Sequence, residues 1–225
     1  MAVNSQWQSE VLPQLEQLRL QAGRPLIVTD ADEVLFAFMA GFEGYLQSQG
    51  LYFDWRSFAL TGNIRERDSD LPIEGARVQS LLLAFFEAHT EALQPVPGAA
   101  AGLARLATRS QIVVLSNLPL ANRAARQRAL VAQGMDYPLV ANIGTKGEAV
   151  RHLEQMVRAP VFFIDDIPRN HTSVRQAVET ALCLHFVADP RLAELLGPAE
   201  HSHHRADNWP AAVSYIEERL AELGY

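Results

Sequence analysis

Five short, continuously apolar runs constrain the fold of this chain more than any other feature of its sequence. Each run is rich in β-branched residues, Leu or Phe, and polar or turn residues bound it on both sides. Continuous apolarity, rather than alternation of apolar and polar positions, is typical of strands that are covered on both faces of a parallel sheet. The predicted strands span 26–29, 112–115, 139–143, 161–164 and 181–187.

Helical patterns lie between and around these runs. They are rich in helix formers or repeat apolar residues at helical spacing, and the first of them ends at Gly134. The predicted helices span 119–134, 148–158 and 173–180, with outer helices at 5–21 and 210–223. The resulting β-α-β-α-β order predicts an α/β fold with a parallel sheet and right-handed crossovers.

One segment breaks this alternation between the first two predicted strands, where a single crossover helix would suffice. Two longer helical patterns, at 36–49 and 73–93, flank a polar loop, and helix-breaking Pro and Gly residues follow them. The segment therefore reads as a helical module inserted into the core. The predicted boundaries are 1–34 and 96–225 for the α/β core and 35–95 for the inserted module.

Composition and charge restrict the class of protein. The net charge of −7 argues against a nucleic-acid partner, which needs a cationic face, although a local pocket could still bind a small anion. No apolar run approaches the roughly 20 residues of a membrane span, and the N-terminal residues do not resemble a secretion signal. The only cysteine, Cys183, fits a reducing compartment. We expect a cytoplasmic protein with no nucleic-acid or membrane partner.

Four short polar motifs follow successive predicted strands, at the edge where open α/β sheets bind ligands. The motifs are LIVTDADEV, IVVLSN, GTKGEAV and VFFIDD. Their polar residues, with one amide that follows the last motif, are Asp30 and Asp32, Ser116 and Asn117, Lys146, Asp165 and Asp166, and Asn170. Any one of these motifs has an ordinary structural explanation as a turn or a helix cap, but four in order form a specific signal.

Together the four motifs resemble those of the haloacid dehalogenase-like (HAD) hydrolase superfamily. That family carries DxDx[TV] after the first strand, a hydroxyl residue after the second, a lysine further on and an acidic pair after the fourth. The resemblance implies a Rossmann-like three-layer core with a parallel sheet and an inserted α-helical cap. The long interval between Asp30 and Ser116, compared with the short one from Ser116 to Lys146, indicates that the module at 35–95 is that cap.

The first motif supplies two carboxylates with different expected tasks. Asp30 could attack phosphorus and form an aspartyl-phosphate. Asp32 could protonate the leaving oxygen and later deprotonate the water that hydrolyses the intermediate. Crowding among carboxylates favours the protonated form of one of them, which the first step requires.

A hard divalent cation would offset the charge of carboxylates gathered around an anionic substrate, and Mg²⁺ suits this environment. By the resemblance, Asp30, the backbone carbonyl of Asp32 and Asp166 would be its protein ligands. Asp165 would instead orient a neighbouring group, such as Lys146 or Asp166. Asn170 stands nearby, where a further Asp is frequent in the family.

Substrate binding is expected from the second and third motifs. By the resemblance, Ser116 and the backbone N–H groups of Asn117 and Leu118 would hold phosphoryl oxygens, aided by the start of the following helix. Lys146 would bind the same group and neutralise charge in the transition state.

The resemblance therefore implies a Mg²⁺-dependent phosphatase that acts on a small phosphorylated metabolite through an aspartyl-phosphate. A haloacid-type dehalogenase is an alternative, but Asp32 argues against it because a halide leaves without a proton. A phosphomutase and a non-catalytic binding protein also stay open, although the latter would be expected to have lost Asp30, Asp32 or Lys146. The sequence identifies neither the substrate nor the oligomeric state.

Several further residues have open roles. Glu33 could crowd the site or could point away and cap the next helix. Asn63, Arg65 and Arg67, in the polar loop of the module, could contact the leaving group or could be solvated surface residues. The histidine cluster at 201–204 is interpreted as a polar connector rather than a metal site, because no acidic or Cys ligand pattern accompanies it.

Overall fold

Six parallel strands form the central sheet of the computed structural model, which describes residues 5–225. The strands of the chain are β1 (Leu26–Thr29), β2 (Leu51–Phe53), β3 (Ile64–Glu66), β4 (Gln111–Ser116), β5 (Leu139–Ala141), β6 (Val161–Asp165), β7 (Leu182–Phe186) and β8 (His204–Ala206). The sheet order is β5-β4-β1-β6-β7-β8, and every pairing in it is parallel. The first strand therefore lies inside the sheet, with the motif-bearing β4 and β6 on either side.

Helices cover both faces of this sheet. The helices of the chain are α1 (Ser5–Glu10), α2 (Leu12–Glu16), α3 (Phe38–Ser48), α4 (Gly75–His89), α5 (Ala99–Leu106), α6 (Arg123–Ala132), α7 (Gly147–Val157), α8 (Pro168–Ala177), α9 (Pro190–Leu195) and α10 (Trp209–Glu222). Two further helices beside those that cover the sheet, α3 and α4, lie in the segment between β1 and β4. Within the described residues, no helix is both long enough and apolar enough to span a membrane.

The side chains of β1 show why the sheet needs two helical layers. Leu26 and Val28 pack into a core with α1, α2, α7 and α8, whereas Ile27, on the opposite face, packs into a second core with α5, α6 and α10. All three side chains are fully buried. The continuous apolarity of the run follows from burial on both faces, so the predicted three-layer α/β core is confirmed.

The predicted strands all appear, with ends that shift by no more than a few residues, but the edge strand β8 was missed. Its sequence, HRA, is short and mostly polar, which gives no apolar signal. The helix predicted at 5–21 is instead two short helices, and Pro13 lies in the first turn of the second. The short helices α5 and α9 were also missed.

The insertion, which we define as residues 35–95, contains α3, the antiparallel hairpin β2–β3 and α4. The prediction of two helices is correct, but the polar loop between them contributes a hairpin strand. The two connections to the core run side by side, because Ala37 N–H donates to the Gln94 carbonyl at 2.9 Å and Val96 N–H donates to Leu35 at 2.8 Å. The division into core and cap stays a prediction, and residues 1–4 of its first segment lie outside the described residues.

Candidate active site

The motif residues meet at the carboxyl edge of the three adjacent strands β4, β1 and β6. Asp30 follows β1, Ser116 ends β4, and Asp165 ends β6 directly before Asp166. The chain leaves β1 toward β4 and β5 on one side and later crosses from β5 to β6 on the other side of β1, so the strand order reverses here. Such a topological switch point is the usual ligand site of open α/β sheets. Lys146, the residue directly before α7, extends its side chain to the same edge.

Lys146 is a fully buried ammonium held between two carboxylates. Its Nζ lies 2.8 Å from Asp30 Oδ2 and 2.6 Å from Asp165 Oδ2. Burial alone would lower the pKa of Lys146, but Asp165 and Asp30 outweigh it, and the pKa is raised above its ordinary value. The group therefore stays charged. Lys146 is also the only lysine among the 225 residues, since the other 18 basic residues are arginines.

Asp165 is saturated by donors from its own surroundings. Besides Lys146, it accepts a hydrogen bond from Ile167 N–H at 2.9 Å, and Asn170 Nδ2 contacts both of its oxygens at 3.0 and 3.2 Å. These bonds fix the carboxylate, and the carboxylate fixes the ammonium. Such contacts are those expected of an orienting residue, the role that the resemblance implied for Asp165.

At this edge, three buried carboxylates surround a single buried ammonium, that of Lys146. One oxygen each of Asp30, Asp165 and Asp166 lies within 4.8 Å of the others. Burial raises the pKa of Asp30 to about 7, with Lys146 opposing and the neighbouring Asp165 and Asp32 adding to the rise. Burial, followed by the charges of Asp165, Asp30 and Glu33, raises the pKa of Asp166 well above its ordinary value. The excess negative charge and the all-oxygen donor set fit a hard divalent cation.

Asp32 is held by a residue that the sequence did not predict. Nη2 of Arg126, in α6, donates to Asp32 Oδ1 at 2.6 Å, and the Arg126 side chain is fully buried whereas that of Asp32 is 19% exposed. The guanidinium lies over the ring of Phe36, 4.8 Å from its centroid. The helix sequence RAARQRAL carries three arginines, and its pattern gave no sign that one of them points inward.

The hydroxyl of Ser116 is fully buried, and it has no hydrogen-bond partner in the described part of the chain. Asn117 beside it is braced, since its Nδ2 donates to the Gly144 carbonyl at 2.7 Å and its Oδ1 accepts from Asn142 at 2.8 Å. The Asn117 side chain thus supports the loop before Lys146. Substrate binding through the Asn117 backbone N–H stays a prediction.

Glu33 caps the first helix of the insertion instead of entering the carboxylate cluster. Its Oε1 accepts a hydrogen bond from Met39 N–H, in the first turn of α3, at 2.9 Å. Its φ of 59° lies in the left-handed region, which a non-glycine residue adopts only where the surroundings hold it. Burial raises the pKa of Glu33 to about 7.

Other polar residues considered in the sequence have internal partners. Asn63 Nδ2 donates to Ser57 and Ala59, and Arg65 forms an ion pair with Asp54 at 3.0 Å. Both side chains therefore hold the hairpin loop together. In the histidine cluster, Nδ1 of His203 accepts from Cys183 N–H at 3.0 Å, and His204 stacks on Tyr215. Of the described residues, only Asp30, Asp165 and Asp166 gather with metal-ligand spacing.

Comparison by sequence gives no match, since neither a family model nor a curated protein resembles the chain closely enough. Comparison by structure does. A HAD family hydrolase from Deinococcus radiodurans, with bound phosphate and sodium, superposes with a TM-score of 0.58 at 14% identity, covering 89% of this chain and 98% of its own. A protein from Thermotoga maritima designated a beta-phosphoglucomutase gives 0.55 at 13%, covering 86% and 99%.

A third structure, a defluorinating L-2-haloacid dehalogenase, gives a TM-score of 0.56 at 11% identity, covering 89% of this chain and 100% of its own. All three similarities extend over nearly the whole length of the solved chains. The chain therefore has the fold of the haloacid dehalogenase-like proteins. The order of the sequence motifs indicated the same fold. That fold accommodates hydrolases, mutases and dehalogenases, so the reaction has to be argued from the site.

Proposed function

We propose that this protein is a Mg²⁺-dependent phosphatase that hydrolyses a small phosphorylated metabolite through an aspartyl-phosphate on Asp30. The observation that carries the proposal is the convergence of a buried Asp30–Lys146 pair with an unpartnered, buried Ser116 hydroxyl. A buried hydroxyl without a partner is uncommon in proteins. It suits an anionic oxygen of a substrate that enters beside the nucleophile.

Asp30, the backbone carbonyl of Asp32 and Asp166 would hold the magnesium ion. The ion would supply two positive charges that offset the carboxylates and the phosphoryl group. This fits a site in which burial raises the pKa of Asp30 to about 7, because a nearby cation favours the ionised form that a nucleophile needs.

In the first step, a carboxylate oxygen of Asp30 forms a bond to phosphorus while the bond to the leaving oxygen breaks. Asp32 gives its proton to that leaving oxygen. Lys146 and Ser116 bind the phosphoryl oxygens, where negative charge is concentrated. In the second step, Asp32 takes a proton from water, the water oxygen bonds to phosphorus, and the bond to Asp30 breaks, which releases phosphate and restores the carboxylate.

The alternatives make different demands on the same residues. A dehalogenase has no proton to deliver to its leaving halide, so the acid at Asp32 and its buried partner Arg126 would serve no purpose in that reaction. A mutase would return the phosphoryl group to an isomer of the substrate and release none. A non-catalytic protein would not need to keep the costly burial of Lys146 between two carboxylates.

The test is phosphate release from p-nitrophenyl phosphate and from a panel of phosphorylated metabolites, with Mg²⁺ and with a chelator. We expect Asp30→Asn to reduce turnover at least about 10³-fold, because it removes the nucleophile, and chelation to silence the unmodified protein. Asp68→Asn, an exposed carboxylate of the insertion loop, is the control and should leave turnover unchanged.

Three outcomes would count against the proposal. Full turnover by Asp30→Asn would remove the nucleophile from the mechanism. Halide release from a 2-haloacid, with no phosphate release from any ester, would indicate the dehalogenase. Formation of an isomeric phosphate ester without free phosphate would indicate the mutase.

A further inference from the structure

Arg126 occupies an unusual position for an arginine. Its side chain is fully buried, one nitrogen donates to Asp32 Oδ1 at 2.6 Å, and Nε and Nη1 have no hydrogen-bond partner in the described part of the chain. A buried guanidinium with two of its three nitrogens unpaired is costly, and an apolar side chain of similar length would usually be more stable there. Packing alone therefore gives no reason for an arginine at this position.

The surroundings fix the guanidinium rather than let it move. It lies 4.8 Å from the ring centroid of Phe36, a fully buried residue at the point where the chain leaves the core for the insertion. The backbone of Phe36 forms isolated β-bridges with Asp32 on one side and with Pro95 on the other. Arg126 thus contacts the turn that carries Asp32 from inside the protein, while the Asp32 carboxylate stays 19% exposed on its other side.

An arginine partner has a definite consequence for a carboxyl group that carries a proton. The guanidinium has only donors and does not lose its proton in proteins. The oxygen that accepts from it, Oδ1, therefore cannot be the oxygen that carries the acidic hydrogen toward it. A proton on Asp32 is favoured on Oδ2, because the carbonyl oxygen of a carboxylic acid accepts from the guanidinium better than its hydroxyl oxygen does.

We propose that Arg126 is a positioning residue that reserves Oδ1 of Asp32 and leaves Oδ2 as the single oxygen that gives and takes the proton. The inference rests on the proposed function and adds a residue to it. When the leaving-group bond breaks, the O–H bond at Oδ2 breaks and the proton moves to the leaving oxygen. In hydrolysis, Oδ2 receives a proton from the attacking water, and Arg126 keeps its own protons throughout.

The proposal predicts a dependence on the leaving group that a merely structural arginine would not produce. We expect Arg126→Met to lower kcat/KM about 10- to 100-fold for phenyl phosphate, whose leaving oxygen needs a proton. The loss for p-nitrophenyl phosphate should stay below about 3-fold, since nitrophenolate leaves without one. Arg126→Lys, which keeps a cation but not the planar fork, should restore part of the loss.

Matched variants separate the possible outcomes. Arg128→Met, in the same helix but in an exposed ion pair with Glu91, should leave both esters unaffected. Asp32→Asn should show the same leaving-group dependence, and the double variant should lose little more than Asp32→Asn alone, because the two residues act as a unit. Thermal melting of each variant shows which are folded, and Arg126→Lys carries the test if Arg126→Met is not.

An equal loss on both esters, or no loss on either, would overturn the role of Arg126 while leaving the phosphatase intact. The proposed function has its own control, since Asp30→Asn is assayed on the same two esters. If the unmodified protein and Asp30→Asn behave alike on both, the phosphatase itself fails and the inference falls with it.

Discussion

The Ser116 hydroxyl is buried without a hydrogen-bond partner in the described chain, and the proposed function gives it a phosphoryl oxygen to bind. We predict that Ser116→Ala leaves the melting temperature unchanged or slightly higher, since removing an unsatisfied buried hydroxyl relieves a desolvation penalty. The same variant should lower kcat/KM about 10-fold or more, because one donor to the phosphoryl group is lost. Steady-state kinetics and thermal melting measure the two effects.

Ser110 supplies the matched control for this substitution. It is equally buried, but its hydroxyl donates to the Leu106 carbonyl at 2.7 Å. Ser110→Ala should therefore destabilise the protein by about 1 kcal/mol and leave kcat/KM unchanged. If Ser116→Ala behaved like Ser110→Ala in both respects, its hydroxyl would have a structural partner and no substrate role.

The candidate site residues that the sequence could indicate are those that follow strands. Asp30, Ser116 and Asp165 each come at the end of an apolar run, and parallel strands bring such ends together. Arg126 gave no such signal, because it lies inside a helix and is one arginine among several. Which face of a helix turns inward near a charged site depends on the whole assembly of layers, and the local pattern of charges does not encode it.

Among the helices, α7 depends on a glycine at its first position. A Cβ built on Gly147 would lie 2.3 Å from the backbone carbonyl oxygen of Ser173, in α8. Backbone atoms cannot move aside as a flexible side chain can, so we predict that Gly147→Ala destabilises the protein by about 2–3 kcal/mol. Urea unfolding measures the loss, and the displaced Lys146 should also lower turnover.

Gly44, within α3, is the control for this prediction. A Cβ there would meet nothing within 4 Å, and alanine forms helices better than glycine. Gly44→Ala should therefore raise the free energy of unfolding by roughly 0.5–1 kcal/mol. Equal effects of the two substitutions would show that the contact between α7 and α8 is loose.

The elements predicted best from the sequence are those whose environment is uniform. A strand buried on both faces is apolar throughout, and all five such strands were found near their observed ends. The strand β8 and the hairpin β2–β3 are short and carry polar residues, so their burial is one-sided or partial. Their pairing is decided by partners distant in sequence, and the pattern of the segment itself does not reveal it.

On the scale of the whole molecule, three arginines outside the insertion contact it: Arg126 lies over Phe36, Arg128 pairs with Glu91, and Arg191 makes the largest set of contacts. Arg191, in α9, pairs with Glu43 of α3 at 2.7 Å and lies over the ring of Trp55 at 3.8 Å. Trp55 Nε1 in turn donates to Glu43 at 2.9 Å. Together with the paired connections at residues 35–37 and 94–96, these contacts hold the insertion near the carboxyl edge of the sheet, where a cap could exclude water.

The buried carboxylates at this edge make the stability of the whole protein depend on pH. Burial raises the pKa of Asp30 from 3.8 to about 7. Between about pH 4 and pH 7, the folded protein therefore keeps a proton that the unfolded chain has lost. The stability that this group contributes is fully present below pH 4 and is lost as the pH rises through 7. Histidines act in the opposite sense, since burial lowers the pKa of His185 to about 4.

The comparison of the unmodified protein with Asp30→Asn isolates the carboxylate, because both proteins carry the same histidines. In the presence of a chelator, we predict that the free energy of unfolding of the unmodified protein, minus that of the variant, falls by on the order of 1 kcal/mol per pH unit between pH 5 and 7. Excess Mg²⁺ should stabilise the unmodified protein at pH 8 far more than the variant, because an ion that binds only the folded state shifts unfolding by mass action. Urea unfolding at pH 5, 6, 7 and 8 measures both effects. A difference that stays constant or grows with pH would mean that the Asp30 carboxyl is ionised in the folded protein without a metal, with Lys146 alone balancing its charge.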